Sequence, residues 1–197
     1  DYDLDGYPDI FAANGHIEEE INRVQPKVQY QEPPLLFRNL GKRRFESVGE
    51  SMGAAFRRPI VARGAAYADY DRDGDLDLLL TTNHGPACLY RNDGGNRNHW
   101  LQIRLVGRKS NRDGIGAVVR VTSASGKQWN MVRSGSSYCS QSDLALTFGL
   151  GSDAQAAGVE ITWPSGARQQ FSNIAANQFL TIDETAGIVA RSGPVRP

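Results

Sequence analysis

At 197 residues, 40% hydrophobic and 22% charged, the chain is long enough to bury a sizeable core and does not have the composition of a disordered tail or a membrane protein. Its 22 basic and 22 acidic residues cancel, so no global basic field points to nucleic acid. No apolar run approaches the roughly 20 residues that cross a bilayer, and 21 Gly with 9 Pro predict short strands joined by turns rather than a helical bundle.

The chain opens on Asp1-Tyr2-Asp3-Leu4-Asp5-Gly6, without an initiator Met or a signal peptide. A loop of this kind needs an element before it, so the chain is expected to be the C-terminal piece of a longer protein. The opening ten residues, Asp1 to Ile10, recur as Asp69 to Leu78. A second echo follows each copy, Leu36-Phe37-Arg38-Asn39-Leu40-Gly41 and Leu89-Tyr90-Arg91-Asn92-Asp93-Gly94. The first echo lies 68 residues apart and the second 53, so the earlier unit carries an insertion, assigned to His16–Pro34 as a surface loop with one helical turn. Short apolar stretches at Asp77–Thr82 and Cys88–Tyr90 predict strands. Units of this size built from short strands predict propeller blades.

The repeated D-x-D-x-D-G-x-x-D spacing carries the clearest chemistry. Hard divalent cations take oxygen ligands, and alternate residues of a tight loop point the same way, so Asp1, Asp3 and Asp5 can converge, as can Asp69, Asp71 and Asp73. Gly6 and Gly74 allow the sharp turn. Tyr7 and Asp75 can each lend a backbone carbonyl, and Asp9 and Asp77 can close the shell. Without a cation, carboxylates at this spacing repel. The alternative, a solvated acidic turn, does not account for a full pattern present twice. An EF-hand fails because position 12 is Ala12 or Leu80 and each loop is followed by strand-like sequence. Two bound Ca²⁺ ions would neutralise residues 1–98, which carry 12 Lys/Arg and 16 Asp/Glu.

From His99 the texture changes to alternating strands. Those predicted lie in Leu101–Leu105, Ala117–Thr122, Gln128–Arg133, Leu144–Phe148, Val159–Trp163, Arg168–Phe171 and Phe179–Ile182. About seven short strands in roughly 90 residues predict an antiparallel sandwich or barrel. The fold class is therefore all-β, with a partial propeller over residues 1–98, a sandwich over 99–186 and a disordered tail over 187–197.

Catalytic patterns are weak. His16, His84 and His99 are scattered singly, so surface or structural roles are favoured over zinc. Gly135-Ser136-Ser137-Tyr138-Cys139 lacks the second Gly of a nucleophile elbow. Ser140-Gln141-Ser142 is expected to make side-chain to backbone hydrogen bonds at a strand entry. Trp100, Trp129 and Trp163 lie on strand-like segments and are expected in the core rather than on a sugar-stacking platform. Cys88 and Cys139 fall in different halves, and a disulfide between them would need an oxidising compartment.

The repeats resemble FG-GAP/VCBS-type blades, whose calcium loops read D-x-D-x-D-G-x-x-D and are followed by an L-[FY]-R-N-x-G stretch. The second half resembles the ASPIC/UnbV domain through Asn98–Leu101, Lys109–Ala117, Ser137–Ser142, Phe148–Gly151, Val159–Gly166 and Ala176–Gln178, with Cys139 where the family usually has Leu and Thr147 where it often has His. By the same comparison, Cys139 is expected as a buried thiol. Together the two resemblances cover nearly the whole chain and point to the cartilage acidic protein family. They imply a secreted, extracellular or periplasmic protein, with a signal peptide upstream and two Ca²⁺ sites. They also imply an integrin-alpha-like, non-catalytic module that binds a protein or glycan ligand. The alternatives are an enzyme or biosynthetic accessory with a pocket in further blades or between domains, and a lectin.

Overall fold

The computed structural model describes residues 1–195. The tail's last two residues, 196 and 197, lie outside the described part. Two small sheets come first. β1 (Ile10–Ala12), β2 (Leu35–Asn39) and β3 (Phe45–Ser47) form an antiparallel sheet in that order. β4 (Ala62–Ala68), β5 (Asp77–Thr82) and β6 (Cys88–Tyr90) form the second. Each sheet is one blade-like unit, and neither closes into a ring. The insertion in the first unit is a loop carrying the single-turn helix α1 (Ile21–Val24), as its charge and Pro-Pro end predict. A second turn of helix, α2 (Ala54–Arg57), lies between the sheets in sequence.

The rest is a two-sheet sandwich. One sheet runs in the order β10 (Leu146–Gly151), β7 (His99–Val106), β13 (Gln178–Asp183), β14 (Gly187–Ser192). The other runs β12 (Arg168–Ala175), β11 (Gln155–Thr162), β8 (Val118–Thr122), β9 (Lys127–Met131). Inward residues of both sheets share one core, including Leu101, Ile103, Val119, Val121, Phe148, Val159, Ile161, Leu180 and Ile182. Along β8 and β11 these residues alternate with more exposed neighbours, as a sheet with one buried face requires. The buried cluster of the second blade-like unit is far smaller: Ile60, Ala62 and Leu80, with partly buried neighbours.

Three expectations need correction. The pairing of β7 with β13 is parallel, so the sandwich is not purely antiparallel. The stretch expected as a disordered tail from 187 instead supplies β14, which pairs with β13 at the sheet edge from Gly187 to Ser192. An edge strand needs only one partner, and its exposed alternate residues hide it from a reading that looks for apolar periodicity. Third, of the three tryptophans, Trp100 and Trp163 are core residues but Trp129 is 64% exposed on β9.

Candidate metal centre

The two aspartate loops fold by the same hydrogen bonds. In loop 1 the Tyr2 N–H donates to Asp9 Oδ2 at 3.0 Å, Gly6 N–H to Asp1 Oδ2 at 3.0 Å and Tyr7 N–H to Asp5 Oδ1 at 2.9 Å. In loop 2 the Tyr70 N–H donates to Asp77 Oδ2 at 3.1 Å, Gly74 N–H to Asp69 Oδ2 at 3.0 Å and Asp75 N–H to Asp73 Oδ1 at 3.1 Å. The glycines sit at φ 95 and 112, where a Cβ is disfavoured. Asp1 thus uses Oδ2 to shape the backbone and leaves Oδ1 without a hydrogen-bond partner.

The second echo of the repeat completes each loop. The Asn39 N–H donates to Asp9 Oδ1 at 2.7 Å, and the Asn92 N–H to Asp77 Oδ1 at 2.8 Å. The Asn92 side chain reaches across the units, donating to the Tyr2 carbonyl at 2.7 Å. The backbone N–H of the recurring Asn thus holds the closing aspartate of its own loop, a role the sequence leaves unassigned although the echo itself is its signal.

Ligand-capable oxygens converge in both places. One oxygen from each of Asp1, Asp3 and Asp9 lies within 4.8 Å of the other two, and the same holds for Asp69, Asp71 and Asp73. Asp5 is turned to Arg38, whose Nη2 lies 3.2 Å from Asp5 Oδ2 and 2.7 Å from Asp3 Oδ2. Arg91, the equivalent of Arg38, pairs instead with Asp93 at 2.8 Å. Tyr7 is 51% exposed and its ring lies near Gly41. Asp75, expected to serve by its carbonyl alone, is fully buried beside Asp73. Asp77 accepts from the Tyr70 and Asn92 N–H groups.

A divalent cation fits both centres. The buried oxygens Asp1 Oδ1, Asp3 Oδ1, Asp71 Oδ1 and Asp75 Oδ1 have no hydrogen-bond partner. Buried polar atoms rarely go unpaired, and a hard cation is a partner suited to carboxylate oxygen. The electrostatics of the carboxylates agree. Burial first, and the Asp73 carboxylate next, push Asp75 up to about 7. Burial, with the charges of Asp73 and Asp77, raises Asp69 to about 6 against the N–H bonds of Gly74 and Arg72. Asp3 is raised by burial and by Asp5 despite Arg38. A cation among these groups reverses that logic, favouring the charged form of each. Asp1, Asp3 and Asp9 in the first loop, and Asp69, Asp71 and Asp73 in the second, are the residues that would hold it.

Both loops press on the sandwich. Leu4 is fully buried, and the Gly151 N–H donates to the Leu4 carbonyl at 3.0 Å. The register of β10 against β7 shifts between Gly149 and Gly151, and at that bulge a Cβ on Gly149 would lie 2.3 Å from Asp1 Oδ2. The indole of Trp100 lies 2.1 Å from where a Cβ on Gly74 would be. The family comparisons follow this division. The FG-GAP-like repeat family matches residues 1–80, and the ASPIC and UnbV family matches residues 107–189. The chain joins FG-GAP-like repeats to an ASPIC/UnbV domain. Cartilage acidic protein 1 of Homo sapiens is 32% identical over 126 residues, 61% of this chain and 18% of the relative. The Mus musculus protein of that name is 29% identical over 166 residues, 80% of this chain and 25% of the relative. The Xenopus tropicalis protein is 36% identical over 109 residues, covering 52% and 16%. The chain thus spans a quarter or less of the curated relatives it matches. The sheet of the ASPIC/UnbV domain takes in β7 from His99, ahead of the family match that begins at residue 107.

The other candidates separate. His16, His84 and His99 do not meet in any group of metal-ligating side chains among the described residues. Ser140 and Ser142 make side-chain to backbone hydrogen bonds as expected, but on the edge of β4 rather than at a strand entry: their hydroxyls accept from the Ala65 and Tyr67 N–H groups at 2.8 and 3.2 Å. Cys88 and Cys139 are both free, and Cys139 is exposed rather than buried. No helix is long and apolar enough to cross a membrane among the described residues.

Sequence reading misses Glu184. It is 5% exposed, and its carboxylate oxygens gather the N–H groups of Arg108, Lys109 and Ser110 at 2.6 to 2.8 Å and the Ser110 hydroxyl at 2.8 Å. The Ser165 hydroxyl adds a further short bond. Burial pushes this carboxyl up, but the Ser165 hydroxyl and the N–H groups of Ser110 and Arg108 outweigh it and hold it at about 2. It ties the Gly107–Gly116 loop and the Pro164–Gly166 turn to the end of β13. No local pattern marks it, because its partners are distant in sequence.

Proposed function

We propose that the chain is a calcium-stabilised, non-catalytic module of an extracellular protein, in which FG-GAP-like loops bind one Ca²⁺ each and the ASPIC/UnbV domain helps to present a surface to a protein ligand. The observation that carries this reading is the pair of centres in which three carboxylates converge while buried oxygens stay unpartnered. The relatives' naming for cartilage supports an extracellular setting. Titration calorimetry on the chain should give heat for two sites with Ca²⁺ preferred over Mg²⁺, since an adaptable oxygen-lined loop suits the larger ion. Binding to the native state alone raises the melting temperature. Asp71→Ala should abolish about half of the heat and lower the melting temperature in calcium, leaving the chelator-treated protein little changed. Absence of heat and of any calcium-dependent melting shift refutes the reading; a variant that melts normally in calcium yet loses a turnover favours an enzyme.

One observation favours a second reading, a glycan ligand. A cleft of about 1010 Å³ between the blade-like units and β9 is lined by Trp129, Tyr7, Tyr67 and Tyr90 together with Asn130 and Arg133. Exposed aromatic faces beside polar side chains suit a sugar. Trp129→Ala should cost glycan-array binding and leave calcium heat intact.

A further inference from the structure

In both loops the fourth residue, set between two of the loop aspartates, is left-handed without being glycine. Leu4 stands between Asp3 and Asp5 at φ 55, and Arg72 between Asp71 and Asp73 at φ 61. Neither is a residue that favours this region, and such conformations persist where the surroundings over-determine them. In both cases the carbonyl of that residue accepts a backbone N–H from the far half of the chain: Gly151 to Leu4 at 3.0 Å, and Val195 to Arg72 at 2.8 Å. The surroundings repeat the theme with different side chains. Under loop 1, Leu4 is buried on the bulge of β10 and the Asn98 amide donates to the Asp3 carbonyl at 2.8 Å. Under loop 2, the Arg72 guanidinium lies 4.8 Å above the Phe179 ring, and its Nη2 donates to Ser192 Oγ at 3.2 Å.

We infer that the two loops are the joint between the repeats and the ASPIC/UnbV domain, and that cation occupancy governs how firmly the domain is docked. This rests on the calcium reading above. The left-handed residue lies within the ring of carboxylates, so whatever holds those carboxylates together also fixes its carbonyl. Without a cation the carboxylates repel, the loop opens and the carbonyl leaves its N–H partner. Binding of the domain and of the cation then favour each other, because linkage is reciprocal. The blade-like units have only a small core of their own, which makes this joint a major source of order for them.

Amide exchange on the full chain, with calcium and with chelator, tests the joint alongside the calorimetry. The Gly151 and Val195 amides should exchange about fivefold or more slower with calcium, within the range of ordinary coupling, while the core amide of Ile161 changes little. Phe179→Leu touches no carboxylate but removes the ring under Arg72; it should weaken calcium at one of the two sites about threefold or more and leave the other unchanged. Absence of calcium heat removes the calcium reading and this inference together. Calcium heat with unchanged protection at Gly151 and Val195, or with two unchanged affinities in Phe179→Leu, overturns the inference alone.

Discussion

Gly74 offers a sharp test of how loop 2 meets the ASPIC/UnbV domain. It sits at φ 112, and a Cβ there would lie 2.1 Å from Trp100 Cε2 and 2.2 Å from Nε1. Trp100 is 1% exposed and packs on Phe179 with ring centroids 4.8 Å apart, so the indole has nowhere to retreat. Gly74→Ala therefore carries two costs. The backbone conformation costs about 1–3 kcal/mol for a residue with a Cβ. Forcing a methyl into a packed ring costs about 1–3 kcal/mol more. The sum, about 2–6 kcal/mol, corresponds to a fall in melting temperature of at least about 4 °C for a chain of this length. Gly158→Ala is the control. Gly158 lies in β11, its φ is not in the left-handed region, and nothing stands within 4 Å of its Cβ position. That change should be neutral or slightly stabilising. Thermal melts followed by tryptophan emission read both variants, since the buried Trp100 and Trp163 are exposed on unfolding. If Gly74→Ala melts within about 2 °C of the parent chain, or if Gly158→Ala costs as much, the packing argument is wrong.

Three further outcomes are expected. Glu184 has a folded pKa lowered to about 2, so its contribution to stability is present above its ordinary value near 4.5 and is lost as pH falls from there towards 2. The melting-temperature gap between the parent chain and Glu184→Gln should accordingly be full at pH 6 and close by about pH 2, whereas a gap independent of pH would show that the carboxylate charge is irrelevant. Arg38→Gln removes the guanidinium that stands 2.7 Å from Asp3; the calcium-free protein should melt lower, and calorimetry should show one of two sites tightened, with equal affinities for parent and variant as the contrary result. Replacing Ser140 and Ser142 together by Ala leaves the Ala65 and Tyr67 N–H groups of the β4 edge without their hydroxyl acceptors. Light scattering should then show concentration-dependent self-association, as expected of an uncovered strand edge, and a variant that stays monomeric at all concentrations counts against that role.

What the sequence determined by itself is what depends on neighbours along the chain. The aspartate spacing, the glycine at the turn and the Leu-[Phe/Tyr]-Arg-Asn echo are local patterns, and they place Asp1, Asp3, Asp9, Asp69, Asp71 and Asp73 where the loops bring them together. Strands with a buried face, such as β5 and β8, announce themselves by alternation or by an apolar run. Only the tertiary structure decided the rest, because those features depend on partners far off in sequence. Asp75 looked like a carbonyl donor until Asn96 and Gly95 closed over its side chain. Trp129 looked like core because nothing in its own strand says which face of β9 meets the other sheet. β14 is a strand only because β13 offers an edge, and the parallel β7–β13 pairing needs a crossover that no local signal records. Glu184 collects donors more than 70 residues away, and the left-handed Leu4 and Arg72 are held by N–H groups more than 100 residues distant in sequence. Chemistry carried by spacing is legible in one dimension; docking of one half of the chain on the other is settled by packing, which depends on shape in three.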